Sequence, residues 1–133
     1  MKYMLDTNIC IYAIKNKPEK VFAELQKTAP EDICISSVTY AELIYGVEKS
    51  KAVEKNKLAL SLLLANISIE SFDVNAAEEY GKIRAVLEKS GTPIGPLDMM
   101  IAAHAKSLKL TIVTNNVKEF SRVTGLRIVN WAE

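Results

Sequence analysis

The sequence predicts an α/β fold with a mostly parallel central sheet of about five strands and helices on both faces. Two observations carry that reading. Short apolar runs alternate with longer stretches of helical periodicity in the order β-α-β-α-β-α-β-α-β, the pattern of strands joined by helical crossovers. The composition is that of an ordinary folded chain, 49% apolar and 25% charged over 133 residues, which suits one domain with one core and is too short for two.

The first run ends at Leu5, and Asp6-Thr7-Asn8 follows, so it reads as a buried strand with Asp6 at its carboxyl end. Thr7 to Ile14 is apolar and of helical length, and Lys15-Asn16-Lys17 with Pro18 stops it. Pro18 is expected in the first turn of a second helix, whose Val21, Phe22 and Leu25 share one side and which runs to about Lys27. Ile33-Cys34-Ile35 is the second strand. Ser36-Ser37 or Thr39 then opens a third helix carrying Tyr40, Leu43, Ile44 and Val47, with Glu42 inside its apolar stretch. Val53 to Ala65 is apolar around most of its circumference, as expected of a helix that is buried or forms an interface.

Ile67 to Phe72 alternates as a third strand, and its polarity places it at a sheet edge. Val74 to Lys89 is a helix ending at Gly91. A stiff Thr92 to Pro96 turn leads into Leu97-Asp98, which opens a helix reaching Leu108. Thr111 to Val113 is the fourth strand, Thr114-Asn115-Asn116 a turn, Val117 to Ser121 a short helix, and Leu126 to Val129 the last strand.

Several functions are disfavoured by composition. No segment approaches the roughly 18 consecutive apolar residues of a membrane helix, and the amino terminus has no long apolar run after its positive charge, so a cytoplasmic protein is expected. The formal net charge of +1 supplies no general basic field, so nucleic-acid binding would rest on local patches. Cys10 and Cys34 lie in apolar runs without metal-binding spacing and are expected as buried, reduced thiols. His104 sits among alanines two turns into the Asp98 helix, where packing explains it better than catalysis because no orienting partner is evident.

Four acids recur where strands give way to helices: Asp6, Glu42, Asp98 and Glu119. A parallel sheet brings such transitions to one edge, where ligands bind in α/β proteins. Each acid has a structural explanation as well. Asp6 and Asp98 suit helix N-caps, Thr39-Tyr40-Ala41-Glu42 fits a capping box, and Glu119 suits a solvated helix face. Together they favour a metal site, because clustered carboxylates with no Arg or Lys in their motifs repel one another until a cation joins them. Hard oxygen donors suit Mg²⁺ or Mn²⁺ rather than zinc, and such a site suits attack of water on a phosphodiester with no protein nucleophile.

At these residues the sequence resembles the PIN-domain ribonucleases, most closely the VapC toxins of bacterial toxin–antitoxin pairs. Met4 to Asn8 resembles the opening motif of the family, and Ser36 to Leu43 with Gly46 the second acidic motif. Pro93 to Ala102 resembles the third, and Val113 to Asn116 with Glu119-Phe120 the fourth. The resemblance implies an α/β/α sandwich, Mg²⁺-dependent cleavage of structured RNA, and inhibition by a VapB-type antitoxin through which promoter DNA is bound. It carries Asp6, Glu42 and Asp98 over as metal ligands and Glu119 as a weaker contributor. Thr7, Asn8, Thr114 and Asn116 become groups that orient those ligands. Asn116 and Glu119 stand where many relatives have Asp.

Family members of this compact kind cut tRNA anticodon loops, initiator tRNA among them, or other structured loops. Lys15, Lys17, Lys49 and Lys51, with Lys55 and Lys57, are candidates for RNA backbone contact, or simply solvated helix ends. The apolar faces of the second helix (Val21, Phe22, Leu25) and fourth helix (Leu58, Leu62, Leu63) suit either core packing or homodimer and antitoxin contact. Two other readings remain. An aspartyl-phosphate hydrolase would use Asp6 as nucleophile, yet Asn8 occupies the place of its acid/base carboxylate. A noncatalytic PIN-like interaction module would be expected to have lost acids, and the three central ones are present.

Overall fold

The computed structural model describes residues 1–133. Five parallel strands form one sheet in the order β3-β2-β1-β4-β5. They are β1 (Tyr3–Leu5), β2 (Ile33–Ser36), β3 (Ser68–Glu70), β4 (Thr111–Val113) and β5 (Arg127–Val129). The helices are α1 (Thr7–Lys15), α2 (Glu19–Lys27), α3 (Ser37–Glu48), α4 (Val53–Leu64), α5 (Val74–Lys89), α6 (Pro96–Ser107) and α7 (Val117–Phe120). The α/β/α sandwich expected from the alternation is the observed fold.

Strand alternation divides the core cleanly in two. Met4, Cys34 and Ile112 face one side and pack with Ile83 and Leu87 of α5, Ile101 and Ala105 of α6, and Phe120 of α7. Leu5, Ile33, Ile35 and Val113 face the other, against Ile9 and Ala13 of α1, Val21 of α2, Leu43 of α3 and Leu60 of α4. Because successive strand side chains point to opposite faces, a single-residue slip in any central strand would exchange the two sets. Full burial of a Leu or Ile here contributes about 1.5–3 kcal/mol. Both Cys10 and Cys34 are free thiols buried within these layers.

Helix ends follow the local sequence. α5 stops in a turn where Gly91 adopts φ +68 and Thr92 N–H reaches back to the Leu87 carbonyl, a conformation that glycine takes without Cβ strain. Asn16 ends α1 in the same left-handed region, which Asn tolerates better than most residues. Pro18 precedes α2 as its N-cap instead of lying inside the first turn, a difference of one position. α4 is less buried than its leucines imply: Leu60 is buried, whereas Leu58 and Leu62 are 62% and 70% exposed. β3 is an edge strand with an exposed face, as its polarity predicts. No helix is long and apolar enough to cross a membrane.

Candidate active site: four carboxylates at the carboxyl edge

β1 and β4 are adjacent, and between them the sheet turns outward in two directions, β2 and β3 to one side and β5 to the other. Such a point opens a crevice at the carboxyl ends of the strands. Asp6 stands there, 3% exposed, immediately after β1. One carboxylate oxygen accepts the Ile9 N–H at 2.9 Å and so caps α1, while the other accepts the Thr114 hydroxyl at 2.5 Å. Capping and site membership, alternatives in the sequence, are two uses of one carboxylate. Thr114 is itself fully buried after β4, and its hydroxyl also accepts the Asn116 N–H at 2.9 Å.

Glu42 is not part of a capping box. The cap of α3 is Ser36, whose hydroxyl accepts the Val38 N–H at 3.1 Å, and Glu42 lies a turn further on. Its carboxylate instead accepts the Thr7 hydroxyl at 2.7 Å across 35 positions of sequence. Asp98 is not a cap either. Gly95 occupies that position with Pro96 next, so Asp98 sits half-buried inside the first turn of α6. Glu119, also half-buried, accepts the Asn116 side-chain amide at 3.2 Å.

Electrostatics ties the four together. Burial pushes Asp6 up to about 6, against the opposing hydrogen bonds from Thr114 and Ile9, and Asp98 and Glu42 add to the rise. Asp98 is raised first by burial and then by Glu119 and Glu42. The ion pairs of the protein are Lys27–Glu24, Arg84–Glu88 and Lys106–Glu79, so no cation of the chain neutralises any of the four site acids. No three His, Cys, Asp or Glu side chains are already drawn into a ready cage. An open set of this kind suits a hard cation that keeps several waters and takes one or two carboxylates directly.

The remaining sequence candidates divide. Thr7, Thr114 and Asn116 each donate a hydrogen bond to one of the four carboxylates. Asn8 does not, because its exposed side chain makes no hydrogen bond within the chain. Lys15 lines a groove with Glu42, and Lys49 lines a larger one with Thr7, Asn8 and Glu42. Lys17 and Lys51 are exposed in the turns after α1 and α3 and line neither. His104 is 1% exposed and does have a partner, the Ser36 hydroxyl at 2.8 Å from Nδ1, with Phe72 edge-on to its ring. Burial lowers its pKa, and the neutral ring bridges α6 to the cap of α3. That contact joins positions 68 apart, which periodicity does not reveal.

Comparison with known proteins agrees with this architecture. The PIN domain family matches residues 3–126. The chain is 49% identical over 132 residues to the tRNA(fMet)-specific endonuclease VapC of Shigella flexneri, covering 99% of each. It is 47% identical over 131 residues to the enzyme of the same name from Salmonella typhimurium, covering 98% of each. Among solved structures, DNA-bound VapBC from Salmonella typhimurium superposes with a TM-score of 0.93 at 47% identity, covering 98% of both chains. The chain therefore belongs to the PIN-domain ribonucleases, as a VapC-type toxin of the VapBC toxin–antitoxin systems.

Proposed function

We propose that this nuclease is a Mg²⁺-dependent endoribonuclease that cuts the anticodon loop of tRNA, initiator tRNA first among candidates, and thereby stops translation. The observation that carries the reading is a set of four carboxylates, linked by the repulsion that Asp98 and Glu42 exert on Asp6 and that Glu119 and Glu42 exert on Asp98, and unpaired with any cation of the chain, at the sheet edge where α/β proteins bind ligands. The tRNA assignment is supported by the names of relatives at 47% and 49% identity. Mn²⁺ would serve the same oxygen donors.

Asp6, Glu42 and Asp98 would hold the cation, with Glu119 contributing through water. When bound, the cation supplies acidification of water and neutralisation of charge on the phosphodiester. The chain does the rest. The Thr114 hydroxyl and Ile9 N–H fix both oxygens of Asp6, so this carboxylate does not swing away between turnovers. Thr7 fixes Glu42 from the first turn of α1, and Asn116 restrains Glu119. These bonds are of the kind that position metal ligands, and the two on Asp6 favour its ionised form.

For partners, we assign a VapB-type antitoxin to the apolar groove of about 500 Å³ between α2 and α4, where Phe22 is 42% and Leu62 70% exposed. Promoter DNA would be reached only through that antitoxin, in keeping with the DNA-bound VapBC structure of the relative. A homodimer is the expected toxin assembly. The test is a gel assay of total bacterial RNA with purified, antitoxin-free protein in Mg²⁺, in EDTA, and with Asp98→Asn. Discrete fragments that need both Mg²⁺ and Asp98 are expected, and their ends name the RNA. Intact RNA throughout would remove the reading.

A further inference from the structure

A groove of about 720 Å³ opens beside the carboxylates and shares Thr7 and Glu42 with them. That volume is within the range of small-ligand sites, roughly 300–1,000 Å³. Its walls are of a different character from the acidic edge. Ile11, Leu97 and Met100 supply apolar surface, and Leu97 is 45% exposed. Tyr45, on α3 one turn beyond Glu42, stands 66% exposed at the same groove. Lys49 holds its ammonium 5.0 Å from the Tyr45 ring centroid. Gly46 leaves open space where another residue would project a side chain, since a Cβ there would meet nothing within 4 Å.

We propose that this groove is a nucleobase site, in which Tyr45 stacks one unpaired base next to the bond being cut, Asn8 reads that base's edge, and Lys49 holds a neighbouring phosphate. The proposal rests on the ribonuclease reading above and adds to it a site for a specific part of the RNA. Three observations select this occupant over a second copy of the chain. The groove is continuous with the carboxylates, and a protein surface closing it would bury Glu42 without a cation. Besides Thr7 and Glu42, which it shares with the acidic edge, and the Tyr45 phenol, its polar members are the free Asn8 amide and the Lys49 ammonium, the donors and acceptors that a base edge and a phosphate require. An exposed aromatic ring with a cation held over it is the platform on which single-stranded bases stack, independently of their sequence. Specificity then falls to Asn8, whose amide is uncommitted within the chain and therefore available.

The test uses a synthetic hairpin carrying the anticodon stem and loop of initiator tRNA, and a set in which each loop base in turn is replaced by an abasic residue. Binding is measured in EDTA with wild type, Tyr45→Ala, Tyr45→Phe and Asn8→Ala, and each protein is checked by thermal melting and sedimentation. Tyr45→Phe should bind like wild type. Tyr45→Ala should bind the intact hairpin about 5- to 150-fold more weakly, the range of one lost base stack. One abasic position should weaken wild type at least as much, since it also removes the edge that Asn8 reads, and should cost Tyr45→Ala far less than it costs wild type, because the stack is already gone. Asn8→Ala should flatten the preference among bases at that position.

If the losses from Tyr45→Ala and from every abasic position simply add, or if Tyr45→Ala binds like wild type, the nucleobase site is wrong. A Tyr45→Ala protein that loses a dimer while its abasic losses remain additive would make the face a contact between copies, and likewise overturn it. Wild type that cuts the hairpin in Mg²⁺ without any base dependence would remove the pocket alone. Wild type that neither cuts nor binds the hairpin would remove the tRNA reading and the pocket together.

Discussion

Replacing Asp6 by Asn should stabilise the metal-free protein while abolishing cleavage, and the size of the gain follows from the burial of this carboxyl. Asp6 is 3% exposed, and burial with the repulsion of Asp98 and Glu42 raises it from an ordinary 3.8 to about 6. The folded state thus binds a proton more tightly than the unfolded chain between these values. Stability from this group is present at low pH and is lost as pH rises towards 6. Above that, the ionised carboxylate costs the difference of about 2.2 at 1.36 kcal/mol per decade, or ~3 kcal/mol. Asn has no charge to desolvate and can still accept the Ile9 N–H. For a chain of this length ~3 kcal/mol corresponds to roughly 10 °C in Tm. Thermal melts in EDTA should therefore show Asp6→Asn and wild type equal near pH 4 and separated by up to that amount at pH 7.5, with the variant higher. Mg²⁺ should raise wild type and leave the variant nearly unmoved. A variant that melts below wild type at pH 7.5 in EDTA would refute the argument that this carboxylate is held at a cost.

Thr114→Val removes a hydroxyl that donates to Asp6 and accepts from Asn116. It should cost about 1.5–3 kcal/mol, the range for a hydrogen bond to a charged group, and move the acid limb of the cleavage profile to higher pH because Asp6 rises further. His104→Ala should destabilise by roughly 2–4 kcal/mol, through a buried void and a Ser36 hydroxyl left without its ring partner, while turnover well below Tm stays near wild type. A folded His104→Ala protein with selectively lost turnover would overturn that. Glu119→Gln should slow cleavage less than Asp98→Asn does, in single-turnover assays at saturating Mg²⁺, since the amide can still accept from Asn116. Phe120→Ala, which empties a fully buried site between α7 and the sheet, should cost about 3–5 kcal/mol by denaturant titration.

The layers of the fold were legible because strand alternation and helix periodicity are local properties. Met4 and Leu5 part to opposite sides of the sheet as their adjacency requires, and the bounds of α5 and β4 follow the sequence residue by residue. The edge position of β3 was legible from its polarity. What could not be read were partners distant in sequence. Thr39-Tyr40-Ala41-Glu42 fits the local pattern of a capping box, yet Ser36 had already capped the helix, and Glu42 was left free for Thr7. Asp98 and Asn8 show the same limit from the other side. A first-turn acid resembles a cap until Gly95 and Pro96 are seen to begin the helix before it, and Asn8 shares a motif with Asp6 but is exposed and makes no hydrogen bond to any site carboxylate. The solitary His104 looked partnerless because the serine that meets it closes β2, 68 positions earlier in the chain.

The hydrogen bond between Asp6 and Thr114 spans 108 positions of the chain. Thr114 becomes available only after β4 has been made, when most of the protein has already left the ribosome. Until then the first carboxylate lacks the hydroxyl that holds it, and Glu119 has not been synthesised. A nascent or prematurely terminated chain therefore carries no finished nuclease, and the site is completed only when synthesis of that chain is nearly over.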